Sequence, residues 1–323
     1  MTPRHAISLS GTDERIDQVG PLVDEFTAAG YRELWTSELN GSDSFAPLLA
    51  AAATRPWLRL GTAVACVFTR SPALLAMQAL TLAEASEEPL LLGIGASSQA
   101  MVTGWHGVPF VKPYSRVRDT ARFLREAFDG GRMTFHSDSF DIDGFRLART
   151  PQRRPKVLVA ALREKMLRLA GTDADGTVLN WLSPDDVRKV VPYVLDGNPD
   201  AEIAARLFVI AAPDRPTARD YARRMVTGYL ATGVYAAYHD WLGRGPMLEP
   251  MWQAWAAGDR KGALAAVPDA LVDELFLTGD EGQIRAGVAE YAKAGITRPV
   301  LSVMGPDPAY AHSLALRLGS AAD

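Results

Sequence analysis

The 323-residue sequence holds one cysteine, Cys66. A lone thiol cannot close an internal disulfide, so burial alone must hold the fold, and a reducing, cytoplasmic setting is expected. Cationic charge is not in surplus: 34 Lys and Arg stand against 38 Asp and Glu, a formal net charge of −4. That balance argues against a nucleic-acid partner, whose phosphates ordinarily call for a basic excess. No run of about 18 apolar residues occurs, so no membrane span is expected. The opening MTPRHAISLSGTDERID lacks the apolar stretch of a signal peptide. Familiar chemical motifs are missing as well. Gly93-Ile94-Gly95 is no dinucleotide fingerprint, because Ser98 stands where a third glycine belongs. There is no Walker-type phosphate loop, no HExxH and no GxSxG. The five histidines (His5, His106, His136, His239 and His312) show no paired ligand spacing, so no metal is expected.

What is present is ordinary for a soluble globular chain, 48% hydrophobic and 22% charged. The length admits two domains or one large α/β barrel. Short runs apolar on both faces recur: HAISLS at 5–10, ELW at 33–35, LRLGTAVACVF at 58–68, LLLGIG at 90–95, KVLVAA at 156–161, GTVLNWL at 176–182, RLFVIAAP at 206–213 and PVLSVMG at 299–305. Such runs suit parallel strands covered by helices. Between them lie helical stripes: Ile16, Val19, Leu22, Val23 and Phe26, stopping at Gly30; Phe45, Leu48 and Leu49 behind a capping Asp43; Pro72 to about Glu84; Val117, Ala121, Leu124 and Phe128; and Ile284, Val288, Tyr291 and Ala292. Residues 133–147 read as a small hairpin outside this alternation. Eight strand-helix units fit a closed (β/α)8 TIM barrel, a single domain over 1–323, better than an open sheet. A helical insertion at about 231–276, rich in aromatics such as Tyr235, Tyr238, Trp241, Trp252 and Trp255, is expected over the barrel mouth. Cys66, inside an apolar strand, reads as packing rather than a nucleophile.

The order AGYRELWTSE, DSFAPLLAAAATRPWLRLGTAVACVFTRSPALLAMQALTLAEAS, LLLGIGASS, WHGVPFVKPYSRVRD and VLVAALREKMLRLAGTDADGTVLNW resembles the bacterial luciferase-like superfamily. The match runs over about residues 20–185 and again near 280–305. It looks most like the branch of coenzyme F420-dependent oxidoreductases, with flavin mononucleotide (FMN) monooxygenases as the alternative and a non-catalytic barrel binding a flavin-type ligand as a third reading. The resemblance implies a TIM barrel holding the deazaflavin at the carboxyl ends of its strands, hydride transfer to or from a small-molecule substrate, and a homodimer.

Residue by residue, the resemblance implies that Ala63-Val64 forms a non-prolyl cis peptide against the tricyclic ring. Gly95, Ser97, Ser98 and Asn180 would line the coenzyme. The stretch Ala161-Leu162-Arg163-Glu164-Lys165 would present helix-terminal amides to its phosphate, with Arg163 and Lys165 adding charge. Relatives often carry glycines here, so only the backbone role carries over. Glu38 would contact the ring or donate a proton, although the histidine that often follows it is Leu39 here. In sugar-phosphate dehydrogenases of the family a glutamate sits near Ser98, and it is missing. His106 is the other proton-donor candidate, with Trp105, Tyr114 and Trp252 toward the substrate. Asp175, in GTDADG, is expected to bond a loop backbone, and EASEEP at 84–89, where relatives read close to LSGGR, to bear on stability at the amino end.

Overall fold

The structure, a computed structural model, describes residues 6–9 and 15–319. His5 and Ser10, the ends of the first expected strand, lie outside the described residues. Eight parallel strands close on themselves: β1 (Ala6–Ser8), β2 (Glu33–Thr36), β3 (Arg59–Thr62), β4 (Leu91–Gly95), β5 (Lys156–Ala160), β6 (Gly176–Leu179), β7 (Glu202–Ile210) and β8 (Arg298–Met304). Each pairs with the next, and β8 returns to β1 while β7 joins β6 to β8. The alternation of a strand sorts its side chains between two environments. Ile7, Leu34, Leu60, Leu92, Val157, Val159, Leu179, Leu207 and Leu301 face outward onto the helices. Ala6, Trp35, Ala63, Leu91, Leu158, Val178, Ala204 and Val300 fill the lumen.

The lumen is filled by trading volume between neighbours. Trp35 pairs with Gly61, where a Cβ would stand 2.4 Å from the indole. Gly93 lies against the Thr62 carbonyl, with only 2.0 Å available to a Cβ. The helices form as their stripes require, with local corrections. Helix α1 (Ile16–Ala28) buries Val19, Val23 and Phe26, but Ile16 on its first turn is 53% exposed. In α2 (Ala46–Thr54) Asp43 accepts from the Phe45 and Ala46 amides, and Leu49 points to solvent while Leu48 is buried. Helix α3 (Pro72–Ala85) is capped by Ser71, and α4 (Pro113–Asp129) buries the whole expected stripe. The expected hairpin forms from Met133–His136 and Asp141–Phe145, antiparallel. Helices α5 (Glu164–Thr172), α6 (Pro184–Leu195) and α7 (Arg215–Leu230) follow β5, β6 and β7. Asp175 accepts from the Val157 amide at the start of β5.

Several strand ends differ from the sequence expectation, and two of the differences bear on the site. The run 58–68 is broken after Thr62 by a cis peptide at Ala63-Val64, and Ala65–Cys66 then pairs with β4 as a separate short strand. Strand β7 begins at Glu202, four residues before the expected start, because the polar and small EIAA segment pairs with β6 through Ala204 and Ala205. That shift moves Arg206 from the rim into the middle of an inward-facing row.

After α7 come α8 (Gly233–His239), a π-helical turn at 240–244, α9 (Gly245–Ala256), α10 (Arg260–Ala266) and α11 (Asp269–Leu275). Their aromatic and aliphatic side chains form a second core around Trp181, Phe208 and Ile210, at the carboxyl end of the barrel. Phe276–Leu277 extends the pairing of β7 where β6 has ended. Arg244 ties this insertion to the first turn of α6, donating to Asp186 at 2.7 Å and to Glu274 at 2.9 Å. Helix α12 (Glu281–Ala294) packs Ile284, Val288, Tyr291 and, in place of Ala292, Ala294; α13 (Pro308–Gly319) closes the chain. Among the described residues no helix is long and apolar enough to cross a membrane.

The amino end of the lumen is sealed by charge. Glu33 accepts from the Trp35 indole at 2.7 Å and from Arg298 at 3.3 Å. Arg298 also meets Glu202 at 3.0 Å, which in turn receives Lys156 at 2.7 Å. Arg59 pairs with Glu88 of the 84–89 turn, whose Ser86 hydroxyl bonds the Leu58 carbonyl. Burial pushes the Glu33 carboxyl up against the pull of Arg298, Trp35 and Arg59. For Glu202 burial also acts upward, but hydrogen bonds and charge from Arg298 and Lys156 outweigh it and bring the carboxyl down to about 2. A carboxyl whose folded value lies below its unfolded one stabilises at neutral pH and loses that contribution as pH falls through the folded value. Glu202→Gln should therefore destabilise by about 2–3 kcal/mol at pH 7. The gap from the parent protein, read by urea unfolding, should narrow as pH falls from about 5 toward 2; a gap independent of pH would contradict this.

Candidate active site

At the carboxyl end the lumen is lined unevenly. On the β3–β5 side stand Ala63, Val64, Gly95 and Ala160, small or hydrogen-only side chains around the cis peptide, while Ala161 turns into the outer core. Gly95 has no room for more: a Cβ there would lie 2.7 Å from Val64 Cγ2 and 3.1 Å from the Ala160 Cβ. The result is a flat apolar wall. On the β6–β8 side stand larger and polar groups, Asn180, Trp181, Arg206, Phe208 and Ser302.

Glu38, just past β2, is held by Arg70 from the turn before α3. The two guanidinium nitrogens Nη1 and Nη2 reach Oε2 and Oε1 at 2.6 and 2.5 Å, and the Cys66 amide lies 3.4 Å from Oε2. Arg70 also covers the Phe45 ring at 5.2 Å. With both oxygens engaged and both side chains largely buried, Glu38 braces the segment after the cis peptide. Cys66 is a packed, free thiol.

The loop after β4 carries several of the expected residues. Ser97 is exposed in the left-handed region at φ 60°, its hydroxyl 3.4 Å from Met101 Sδ. Ser98 accepts from the Met101 amide at 3.3 Å, just before the π-helical turn 100–105, its own hydroxyl proton remaining available. Trp105 is 58% exposed, and His106 is exposed next to it, its imidazole without a hydrogen bond among the described residues. The structure thus leaves His106 at the surface of this loop.

Helix α5 starts without a side-chain cap: Arg163 occupies the capping position in an extended conformation and accepts only backbone bonds, from Met166 and Leu167. The first-turn amides are free to receive an anion, which a helix N-terminus favours. Arg163 is exposed; Lys165, also exposed, lies over the Tyr114 ring at 4.1 Å, so an expected phosphate-side residue and an expected pocket residue meet. Leu162 is half-buried against the main core.

Opposite the flat wall, the Asn180 amide donates to the Tyr235 hydroxyl at 3.1 Å, while its Oδ1 is buried without a partner. Trp181, left-handed at φ 54°, stacks on Phe208 with ring centroids 4.0 Å apart, and its buried Nε1 has no partner either. Burial raises the Tyr235 phenol. Trp252 serves the second core instead, its indole donating to the Leu230 carbonyl at 2.9 Å. Arg70 and Arg206 escape a sequence reading. Arg70 is recognisable only through a partner 32 residues away, and Arg206 only through a strand start that its polar neighbours conceal.

Known proteins resemble this chain over most of its length. The profile of the luciferase-like monooxygenase family matches residues 1–298. A Mycobacterium tuberculosis protein with the provisional name coenzyme F420-dependent oxidoreductase is 26% identical over 309 residues, which cover 87% of this chain and 89% of that relative. A 5,10-methylenetetrahydromethanopterin reductase of Archaeoglobus fulgidus is 26% identical over 293 residues, covering 86% and 87%. The coenzyme F420 dependent tetrahydromethanopterin reductase of Methanopyrus kandleri has the same fold, with a TM-score of 0.81 at 21% identity over 99% of this chain and 98% of that one. The barrel, its uneven mouth and the family profile agree, and the chain belongs to the luciferase-like monooxygenase family.

Proposed function

We propose that this protein is a coenzyme F420-dependent oxidoreductase that moves a hydride between the deazaflavin and a small organic substrate. The observation that carries the reading is the wall at Gly95, where even a methyl group would collide with Val64 and Ala160. A surface kept this flat suits a planar tricyclic ring, and the uncapped start of α5 suits the phosphate of the same molecule. The Mycobacterium tuberculosis relative named for F420 supports this choice over FMN. When bound, the deazaflavin supplies the hydride donor or acceptor.

The chain's own groups do the rest. Val64 and Ala63 would bear on one face of the ring, the amides of Leu162 to Lys165 would hold the phosphate, and the Ser98 hydroxyl has a proton to donate. Arg70 keeps Glu38 in place, and Glu38 in turn steadies the Cys66 backbone and the short strand that presents Val64. Trp181, Phe208 and the second core exclude water from the opposite side.

Titration with F420 and, separately, FMN, followed by tryptophan fluorescence, should show saturable binding of F420 and none of FMN; the reverse order of affinity would overturn the coenzyme assignment. Gly95→Ala should weaken F420 at least about tenfold, or about 1.4 kcal/mol, with its circular dichroism unchanged. Arg70→Met, which leaves a buried carboxylate unpaired, should cost about 3 kcal/mol of stability. Glu38→Gln should lower F420 affinity while leaving every limb of the pH-rate profile in place. A limb that vanished with Glu38→Gln would make that residue the proton donor after all.

A further inference from the structure

The charged groups of the lumen follow a rule with one exception. Arg59, Lys156 and Arg298, at the amino end, each face a carboxylate within 4 Å. Arg206, the next inward position above Ala204 on the same strand, faces none among the described residues. The one hydrogen bond its guanidinium makes there is Nη2 to Ser302 Oγ at 3.2 Å, and its Nε is buried with no partner. It lies over the Phe208 ring at 5.1 Å, and the phenols nearest its charge are Tyr229 and Tyr235. An unpaired cation in such aromatic surroundings is expensive to maintain unless something else completes it. Beside it, one strand over, the Asn180 Oδ1 and the Trp181 Nε1 are also unpartnered. Three polar groups left open in one layer of the mouth describe a site for a ligand, not a packing defect.

The position of this layer identifies the ligand. In the closed ring β7 is four strands from β3, so Arg206 stands across the lumen from the Ala63-Val64 peptide. A molecule lying on the flat wall would turn its exposed face toward Arg206. We propose that Arg206 anchors a carboxylate of the substrate, so that this protein acts on small organic acids rather than on neutral molecules. The proposal rests on the coenzyme reading above, since it takes the flat wall to be the coenzyme's. A single guanidinium matches a carboxylate monoanion, and among the described residues no second cation shares the inward face of β6–β8 at this height to match a phosphate dianion. Binding here completes the open Nε.

Calorimetric titration of the protein, with and without F420, should use acid and amide pairs of graded size from propanoate and propanamide to 3-phenylpropanoate and 3-phenylpropanamide, with phenyl phosphate as a further ligand. In the best-fitting pair the acid should bind at least about tenfold tighter than its amide and tighter than phenyl phosphate. Arg206→Met should abolish that preference while changing F420 affinity less than threefold. Should Arg206→Met fail to fold, Arg206→Lys, which keeps the charge but loses the planar fork, should retain only part of the preference. A parent protein in which no acid outbinds its amide overturns the proposal. So does phenyl phosphate binding tightest, or an acid preference undiminished in either folded variant. Acid preference in a parent protein that does not bind F420 would instead remove the coenzyme assignment and leave the carboxylate site standing.

Discussion

An eight-stranded barrel has a lumen just wide enough for side chains to fill, and that volume limit governs most of what is seen here. At mid-height the limit is met by opposites: Trp35 takes the space that Gly61 leaves, and Gly93 brings its strand against the Thr62 carbonyl. One layer higher the compensation stops. Ala63, Gly95 and Ala160 are small side chains on adjacent strands, and Val64 packs so closely on Gly95 that a Cβ there would lie 2.7 Å from it. The small side chains at the top of these three adjacent strands are the surface that the proposed function gives to the coenzyme ring.

Charge is divided along the same axis. At the amino end four strands contribute to a lattice in which Glu33, Glu202, Lys156 and Arg298 satisfy one another, so the floor is closed to ligands and contributes to stability. At the carboxyl end Arg206 has no acid to pair with, although the strand that carries it supplies Glu202 four residues earlier. Two inward positions separate a neutralised pair from an open cation, and the difference lies in what the neighbouring strands offer at each height.

The barrel was legible in the sequence because its strands are apolar on both faces, a pattern that needs no partner to be recognised. The same simplicity hid the start of β7, since Glu202 belongs to the charged floor and makes the segment look like a loop. The backbone part of the site, Ala63-Val64 and the start of α5, could be located from order and spacing. The side chains that complete it were harder to find. Glu38 was visible but its fixed partner Arg70 was not, and Trp252 looked like a pocket residue because an aromatic in an insertion carries no sign of whether its indole nitrogen is already bonded.

The insertion links these points. Its aromatic content reads as a substrate wall, yet most of those rings pack on one another and on Trp181, Phe208 and Phe276 to form a second core. That core bears on the mouth indirectly. Because β7 runs past the end of β6 and pairs there with Phe276–Leu277, Phe208 lies under the insertion and shelters one side of Arg206. Without that cover the guanidinium would be solvated and of little consequence for recognition; beneath it, the dielectric falls and the same charge can discriminate between ligands. The barrel strands provide the small-residue wall, whereas the environment of Arg206 depends on the segment between α7 and α12, a part of the chain outside the barrel itself.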